Sequence, residues 1–486
     1  MRDHLIFWLN GVRREVRGGD AFLMLSEYLR GRLGLAGTKI MCAEGDCGAC
    51  TVLVAEPRAG ERLRYLPIDS CIRFLFQLDG CHVVTVDGLA KDGSLAAVQQ
   101  AMVDCHGSQC GFCTPGFVMA LVGGCHAMAQ GQDLDWRKEL SGNLCRCTGY
   151  VSIFEAAERA ATAPDWLATR FADDAWIDEG VRLRRESLDL RGEQDGGPMR
   201  VSSPASLAEA LEERREPEPR VVAGATDLGV LWNKGILRPR HWLDLARIPT
   251  LQGLKIEESA AGRTLVAGPL ATWTDCLAIC SAECPEFVPI LEAFGGPQIR
   301  HVGTLGGNII NGSPIADSLP LLFAMEATLE LASAAGTRQV PIDEFYKGYK
   351  QLDLAADELL VRVRMPLPAP ADLLRLMKVS RRRDLDISTF TAAILIRRDA
   401  ERIAAARIAA ARIAYGGVGP TVMRMRAAEQ ALVGRPFTEE TFRHAGEVAA
   451  GEIRPLTDVR GTADYRLQLA RNVLLKCYHE QMVAAG

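Results

Sequence analysis

Four cysteines near the N-terminus constrain this chain of 486 residues most strongly. Three of them are separated by four and then by two residues, and one more follows at a distance. This is the plant-type ferredoxin spacing for a 2Fe–2S cluster, in which each iron takes two soft thiolate donors. A structural zinc usually takes two close cysteine pairs instead. The predicted ligands are Cys42, Cys47, Cys50 and a fourth that is either Cys71 or Cys81.

A second group of cysteines follows, as C-x-x-C and then C-x-C. Its members are Cys110, Cys113, Cys145 and Cys147. This spacing alone would also suit zinc, but beside a ferredoxin-like loop it predicts a second 2Fe–2S cluster. Two clusters in one chain indicate an electron-transfer protein.

Other cysteines are interpreted as structural. Cys276, Cys280 and Cys284 fall on one helix face, where a buried core stripe is favoured over a third metal site because cysteine is among the most buried residue types. Cys105, Cys125 and Cys477 are placed in the same structural class.

Composition excludes several function classes. Net charge is −5 and only 6% of residues are aromatic, without a basic stretch interleaved with aromatics, so a nucleic-acid partner is not expected. Runs of about 18 apolar residues are absent, so a membrane span is not expected. The first ten residues hold too short an apolar run for a signal peptide. Cysteines at metal-ligand spacing favour a reducing compartment, and the sequence predicts a cytoplasmic protein.

The first 88 residues read as a small β-grasp domain. Asn10-Gly11 is a strong two-residue hairpin signal between 4–9 and 12–16. Periodic leucines predict a helix over 21–33. Further strands are predicted at 51–55 and 83–86.

Residues 89–163 read as a helical domain that carries the second cysteine group. Ser94 is the predicted N-cap of its first helix. Helix N-termini near the cysteine pairs would favour thiolate sulfur, because their free N–H groups point outward. The predicted helices are 95–105, 114 to about 130, 134–141 and 148–162.

The remaining chain is divided by composition. Residues 164–200 are charged and rich in glycine, and we expect a surface linker there. Alternating short strands and helices predict a domain over 201–370, and an α+β unit is predicted over 371–486. In the repeat at 401–414, the alanines favour a helix, yet the glycines that follow favour a strand across 409–414.

The middle region lacks a Rossmann fingerprint and a P-loop. It has instead a strand that runs into a turn at Val221–Asp227, and small-residue turns at 303–308 and 313–317. Such turns can present backbone N–H groups to a pyrophosphate. Each is weak evidence alone, but beside an iron–sulfur module they indicate a flavin.

Taken together, the motifs resemble the small, iron–sulfur and flavin subunits of the bacterial xanthine dehydrogenases, in the molybdenum hydroxylase family. The resemblance covers nearly the whole chain. It is carried by the segments at 37–50, 109–116, 142–150, 222–227, 306–309, 345–349, 378–382 and 457–461.

The resemblance implies an α+β multidomain fold. It implies a β-grasp 2Fe–2S ferredoxin domain, a helical-bundle 2Fe–2S domain, an α/β FAD-binding domain of the vanillyl-alcohol-oxidase and CO-dehydrogenase-flavoprotein type, and an α+β C-terminal flavoprotein domain. The order of clusters and then flavin in one chain is what indicates the xanthine dehydrogenase branch.

The resemblance also implies residue roles. Cys71 becomes the fourth ligand of the cluster beside the flavin, and the 110–147 group holds the cluster beside the molybdenum cofactor. Gln109 would hydrogen-bond the partner's pterin, and Phe294 would stack on the flavin ring where NAD approaches. The loop after Lys378 is shifted by one residue relative to animal enzymes, so no role follows for Asp384 or Asp386. The implied FAD contacts are Val221, Val222, Ala223, Gly224, Ala225, Thr226, Asp227, Leu228, Phe294, Thr304, Gly307, Asn308, Asp317 and Lys378.

The implied function is electron transfer from the molybdenum centre of a partner chain, through two 2Fe–2S clusters and FAD, to NAD. The reaction would oxidise hypoxanthine and xanthine to urate. The implied partner is a large molybdopterin-binding subunit, in a dimer of heterodimers. Alternatives are the same role toward aldehydes or other N-heterocycles, a free-standing flavin iron–sulfur reductase, and a zinc-stapled binding module.

Overall fold

The computed structural model describes residues 1–163, 165–171, 174–194, 196–215, 219–260, 262–399 and 406–485. The chain forms two compact units, and each is described by itself. The first contains residues 1–250 and 295–303, and the second contains residues 251–294 and 304–486. The predicted FAD-binding domain at 201–370 is therefore divided, because its first fifty residues and a short later segment pack with the iron–sulfur region.

The first unit contains two sheets and a set of mostly short helices. Its strands are β1 (Leu5–Leu9), β2 (Val12–Val16), β3 (Thr51–Ala55), β4 (Tyr65–Asp69), β5 (His82–Val84), β6 (Leu188–Gln194), β7 (Gly197–Ser203), β8 (Arg220–Val222) and β9 (His241–Asp244). Its helices up to Thr250 are α1 (Leu25–Glu27), α2 (Ala97–Asp104), α3 (Thr114–Ala129), α4 (Trp136–Glu139), α5 (Val151–Ala160), α6 (Trp166–Phe171), α7 (Asp174–Arg184), α8 (Leu207–Glu213) and α9 (Leu228–Asn233). Single helical turns of other types lie at Gly18–Phe22, Tyr28–Arg32, Leu75–Leu78 and Val86–Gly88.

The first sheet has the strand order β2-β1-β5-β3-β4, with β1 and β5 parallel and the other pairs antiparallel. The predicted hairpin is confirmed, since Leu9 pairs with Val12 across Asn10 and Gly11, which both have positive φ. Side chains of β1 alternate between two cores, so Phe7 packs in one and Trp8 in the other. The sheet is therefore buried on both faces at this strand.

Two local predictions in this region need correction. The helix predicted over 21–33 is a turn at Gly18–Phe22, then α1 and a wider turn to Arg32, because Leu23 and Met24 are extended. Ser94 does not cap α2; it pairs with Lys91 in a tight turn. The cap residue is Ala96, whose N–H donates to the Gln99 side chain at 3.0 Å. The predicted helix from Thr114 is confirmed, with Pro115 in its first turn.

The predicted surface linker at 164–200 is wrong for the residues that the structure describes. They form α6, α7, β6 and the start of β7. The many charged residues made the segment look like a surface linker, although it also contains apolar residues that pack in the core. Leu167 and Leu183 are 1% exposed, and Trp176 lies against Trp8 with ring centroids 5.7 Å apart. The segment contributes to the core instead of covering it.

The second unit continues the numbering. Its strands are β10 (Leu254–Ser259), β11 (Gly262–Ala267), β12 (Thr328–Ser333), β13 (Gly336–Pro341), β14 (Tyr346–Gly348), β15 (Gln351–Leu352), β16 (Leu359–Pro366), β17 (Asp372–Val379), β18 (Phe390–Arg398), β19 (Ile408–Gly416) and β20 (Met423–Arg424). The helices after Thr250 are α10 (Trp273–Glu283), α11 (Val288–Ala293), α12 (Pro297–Arg300, in the first unit), α13 (Leu305–Asn311), α14 (Leu319–Ala324), α15 (Ile342–Phe345), α16 (Arg426–Leu432), α17 (Glu439–Glu452) and α18 (Ala463–Ala485).

Two main sheets organise the second unit, with strand orders β10-β11-β16-β12-β13 and β17-β18-β19-β20. The strand predicted across 409–414 is confirmed within β19, where Ile408 and Ile413 are fully buried. The upstream repeat copy at 401–405 lies outside the described residues. The cysteine stripe of Cys276, Cys280 and Cys284 is buried in the core of this unit, as predicted. Over the described part of the chain, the structure has no helix long and apolar enough to cross a membrane.

We predict that Leu183→Ala lowers the free energy of unfolding of the first unit by about 2–5 kcal/mol, because it leaves a cavity in a close-packed core. Urea titration followed by circular dichroism measures this change. The matched control is Leu95→Ala, since Leu95 is 47% exposed, and its effect should stay within about 0.5 kcal/mol. Equal effects of the two substitutions would contradict a structural role for the 164–200 segment.

Candidate cofactor sites

The structure brings the first cysteine group together at the edge of the first sheet. The Cys42 thiol is hydrogen-bonded to those of Cys47 and Cys71, and Cys71 is also hydrogen-bonded to Cys50. The loop between Cys42 and Cys50 can fold this tightly because Ala43, Gly45 and Gly48 adopt positive φ. Backbone N–H groups of Glu44 and Asp46 point at Cys42 Sγ, at 3.4 and 3.5 Å.

Crowding of these thiols perturbs their ionisation. Hydrogen bonds from Cys47 and Cys71 hold the pKa of Cys42 well below its usual value. Hydrogen bonds to Cys42 and Cys50, together with burial, raise the pKa of Cys71 far above it. Four thiolates held this close would repel one another, so a bound cation would favour their joint ionisation.

Cys81 is not part of this group. Its thiol lies 3.6 Å from Arg184 Nη1 and 3.9 Å from the carbonyl oxygen of Asp79. Burial raises its pKa to about 11. Of the two candidates that the spacing left open, the geometry favours Cys71.

The second cysteine group converges in two pairs, Cys110 with Cys147 and Cys113 with Cys145. Cys113 is the residue before α3, near the free N–H groups of that helix, as predicted. Cys145 Sγ lies 3.1 Å from Thr148 Oγ1 and accepts from Thr148 N at 3.5 Å. Burial raises the pKa of Cys145, but these hydrogen bonds outweigh it and the net shift is downward.

Each group supplies the four thiolates that a 2Fe–2S cluster takes, two on each iron. Over the described residues, no three His, Cys, Asp or Glu side chains surround one metal position. In the first group, Cys42 contacts Cys47 and Cys71, and Cys71 also contacts Cys50, so the four thiols lie together. The first group would hold one cluster and the second group the other.

The proposed FAD segment in the first unit is a tight turn between β8 and α9. Ala225 has a φ of 63°. Gly224 packs so closely against the segment that contains Val302 that a Cβ on Gly224 would lie 1.9 Å from Val302 O. Gln77 Nε2 donates to Ala223 O at 2.6 Å, and this hydrogen bond holds the backbone of the turn in place. The arrangement fits a pyrophosphate because small residues expose the backbone there.

The proposed FAD residues of the second unit form two groups. Thr304 caps α13, where its Oγ1 accepts from Gly307 N at 3.1 Å, and Asn308 Oδ1 accepts from Ser318 Oγ at 2.7 Å. Lys378 and Asp317 form a buried ion pair, with 2.5 Å between Nζ and Oδ2. These polar groups are already partnered, so they are held in place before any ligand binds.

The sequence did not predict that Ser388 hydrogen-bonds both residues of the Lys378–Asp317 ion pair. Ser388 Oγ donates to Asp317 Oδ1 at 2.5 Å and accepts from Lys378 Nζ at 2.9 Å. Asp386, for which the sequence predicted no role, closes its own loop: its carboxylate accepts from the N–H groups of Arg381 and Arg382, and its carbonyl accepts from Lys378.

Two further predicted residues, Phe294 and Gln109, have different surroundings. Phe294 follows α11 and packs its ring against Trp273, with centroids 4.7 Å apart. Gln109 is exposed beside Cys110. An exposed side chain next to a cluster ligand is available to a group outside this chain.

The two cysteine loops are joined by residues that the sequence analysis did not single out. Leu144 N donates to Cys47 O at 3.0 Å, and Asn143 Nδ2 donates to Gly48 O at 3.0 Å. Gln298, in α12, donates to Asn143 Oδ1 at 2.8 Å. Asn143 lies in the segment at 142–150 that carries the family resemblance, two residues before Cys145, whereas no local sequence signal marks Gln298.

Three family models match the chain. They are a [2Fe-2S] binding domain at residues 85–158, an FAD binding domain in molybdopterin dehydrogenase at 197–368, and a CO dehydrogenase flavoprotein C-terminal domain at 375–481. The first of these contains the whole second cysteine group. A 2Fe–2S-binding domain and an FAD-binding domain are therefore present.

Similar proteins include xanthine dehydrogenase 1 of Arabidopsis thaliana, 27% identical over 540 residues that cover 97% of this chain and 39% of that protein. Aldehyde oxidase 1 of Bos taurus is 30% identical over 529 residues, covering 98% of this chain and 39% of that protein. The chain thus spans about two fifths of the length of these relatives.

Among solved structures, a carbon monoxide dehydrogenase from Hydrogenophaga pseudoflava is similar, with a TM-score of 0.53 and 30% identity over 57% of this chain and 94% of that chain. The chain belongs to the molybdenum hydroxylase family of oxidoreductases, of which it carries iron–sulfur and FAD-binding domains.

We predict that Cys71→Ser removes the first cluster and Cys81→Ser leaves it intact, because only Cys71 lies with the other three thiols. Iron content should be about four per chain in the wild type and in Cys81→Ser, and about two in Cys71→Ser. Iron analysis and electron paramagnetic resonance of the reduced protein measure this difference. Loss of the first signal in Cys81→Ser with its retention in Cys71→Ser would reverse the ligand assignment.

Proposed function

We propose that this chain is the electron-transfer and NAD-reducing subunit of a xanthine dehydrogenase. In the proposed reaction, a partner chain oxidises hypoxanthine and xanthine to urate at molybdenum. This chain takes up the electrons, one at a time, and delivers them in pairs to NAD. The proposal is supported by the similarity of 97% of this chain to part of xanthine dehydrogenase 1 of Arabidopsis thaliana.

The observation that carries the proposal is the pairing of two cysteine quartets within one compact unit, with their loops in direct hydrogen-bonded contact. Binding modules and zinc-stapled domains need no such contact between two sites. An electron relay requires its redox groups to lie close together, and this contact brings the two quartets close. The FAD-binding domain on the same chain gives the relay an exit.

The chain's residues have separate roles in this proposal. The cysteine quartets hold the two clusters, which supply one-electron transfer when bound, and the turn at 221–228 holds the FAD pyrophosphate. The Lys378–Asp317 pair with Ser388 presents a fixed cation and polar groups to the flavin. Phe294 covers the flavin face that NAD approaches.

Exposure around the second cysteine group supports a partner chain. Cys110 and Cys147 are exposed ligands. Phe112, Leu144 and Val151, which lie beside the ligands or their loop in sequence, are 44%, 47% and 64% exposed. Exposed apolar side chains around a cluster suit a surface that another protein covers. We assign that surface, with Gln109, to a molybdopterin-binding partner in a dimer of heterodimers.

A second candidate is the same electron-transfer role with an aldehyde or another N-heterocycle as substrate. The similarity to aldehyde oxidase 1 of Bos taurus, at a coverage equal to that of the xanthine dehydrogenases, favours it. The substrate is selected at the molybdenum site, so both candidates assign the same roles to the residues of this chain.

The proposal is tested by purifying the chain with its bound partners and measuring iron, FAD and molybdenum. We expect about four irons and one FAD per chain, molybdenum in the co-purified partner, and reduction of NAD by xanthine. Activity with aldehydes but not with xanthine would favour the second candidate. Zinc in place of iron, or no bound flavin, would refute both.

We predict that Phe294→Ala lowers kcat/KM for NAD by about two- to tenfold, because an aromatic stacking contact contributes about 0.5–1.5 kcal/mol. Reduction of an artificial one-electron dye should change much less. Phe294→Tyr, which keeps the ring, serves as the control and should retain NAD reduction. Equal losses with NAD and with the dye would contradict a role at the acceptor side.

A further inference from the structure

The two cysteine loops meet through their backbones at one point. Leu144 N donates to Cys47 O at 3.0 Å. Cys47 belongs to the first quartet, and Leu144 directly precedes Cys145 of the second. The two sets of cysteines are therefore connected through the backbone of Cys47, this one hydrogen bond, and the backbone from Leu144 to Cys145.

Asn143 holds this contact from the side. It is 2% exposed, and its Nδ2 donates to Gly48 O at 3.0 Å and lies 3.3 Å from Thr51 Oγ1. Its side chain therefore binds the residue after Cys47, while its own neighbour Leu144 binds Cys47 itself. A rotation of Asn143 would weaken both hydrogen bonds.

Gln298 fixes the orientation of Asn143. Its Nε2 donates to Asn143 Oδ1 at 2.8 Å and to Thr51 Oγ1 at 3.2 Å. The side chain is 1% exposed, and its Oε1 has no hydrogen-bond partner in the described part of the chain. A buried acceptor without a partner lowers the stability of the fold. The two hydrogen bonds that Gln298 donates therefore come with the energetic cost of an unsatisfied Oε1.

Glycines allow the backbones to approach at this junction. A Cβ at Gly48 would lie 2.3 Å from Gly142 O, and one at Gly116 would lie 2.1 Å from Gly48 O. A Cβ at Gly142 would lie 1.9 Å from Gln298 Oε1. Side chains larger than hydrogen at these positions would separate the two loops.

The helix that carries Gln298 also contacts the other side of the first quartet. Ile299 packs against the buried group formed by Cys50, Cys71 and Ile72. Yet α12 lies inside the stretch matched by the FAD-binding family model, and it packs with the first unit. A short piece of the FAD-binding region therefore lies on the junction between the two cysteine loops.

We propose that Gln298 is a positioning residue for electron transfer between the two clusters. Through Asn143 it holds the Cys47–Leu144 hydrogen bond, across which one electron passes from the reduced 110–147 site to the oxidised 42–71 site. The first site is oxidised and the second reduced by that one electron, without a proton. The inference rests on the proposed function, because it needs both clusters.

The test uses the full chain with both clusters, as wild type and as Gln298→Leu, which keeps the side-chain size and removes both donors. Gln130→Leu is the matched control: Gln130 Nε2 also donates to a backbone carbonyl, that of Leu63 at 2.8 Å, but Gln130 lies outside the junction. Hydrogen–deuterium exchange reports on the Leu144 amide. Electron paramagnetic resonance of the fully reduced protein reports on each cluster and on their magnetic interaction.

We expect Gln298→Leu to speed exchange of the Leu144 amide by about fivefold, as loss of one hydrogen bond of about 1 kcal/mol implies. The g-values of both clusters should persist, while the splitting from their interaction narrows and one-electron equilibration after pulse reduction slows. The control should match the wild type. Asn143→Leu should give the same change, and the double variant no more than either single one, because both act through one contact.

The contrary outcomes are distinct. An unchanged splitting and an unchanged equilibration rate in Gln298→Leu, with faster or equal amide exchange, would overturn the inference and leave the proposed function standing. A wild type without two 2Fe–2S signals would overturn the proposed function, and this inference with it. If Gln298→Leu loses iron, the milder Thr51→Val, which removes the shared hydroxyl, is judged by the same two readouts.

Discussion

The close approach of Cys42, Cys47, Cys50 and Cys71 is the constraint on which the structure around the first quartet depends. Hydrogen bonds from Cys47 and Cys71 lower the pKa of Cys42, and the same hydrogen bonds raise the pKa values of Cys47 and Cys71. A bound cationic group would lower the pKa values of all four thiols, since it stabilises the thiolate form. The positive-φ residues of the loop, the buried positions of Cys50 and Cys71, and the packing of Ile299 all serve to hold these sulfurs together.

What the sequence predicts well here is local. Cysteine spacing within a loop, the Asn10-Gly11 hairpin and the strand of the Arg-Ile-Ala repeat each depend on residues a few positions apart, and the structure confirms the hairpin and the strand. The choice between Cys71 and Cys81 needed more, because both stand far from the C-x4-C-x2-C loop. Their surroundings differ: thiols lie around Cys71, and Arg184 with Asp79 lies around Cys81.

What the sequence could not predict is long-range. Gln298 bonds residues 155 and 247 positions away, and no periodicity or turn signal marks it. Ser388 meets Asp317 across 71 positions for the same reason. The prediction for residues 164–200 was wrong for a different reason. Charged residues dominate the composition of this segment, but a few apolar residues at helical spacing pack into the core. Average polarity is a poor guide where a handful of buried side chains decides the fold.

The two quartets differ in burial, and under the proposed function this difference gives the relay a direction. In the first quartet Cys50 and Cys71 are buried and Cys42 and Cys47 are half-buried, whereas in the second Cys110 and Cys147 are exposed. A surface site can exchange electrons with a separate chain, since a partner can approach its exposed ligands. The more buried site is better placed to exchange them with groups held by the same chain. The outer quartet is therefore suited to receive electrons and the inner one to pass them toward FAD, and the junction between Cys47 and Leu144 is where the two roles meet.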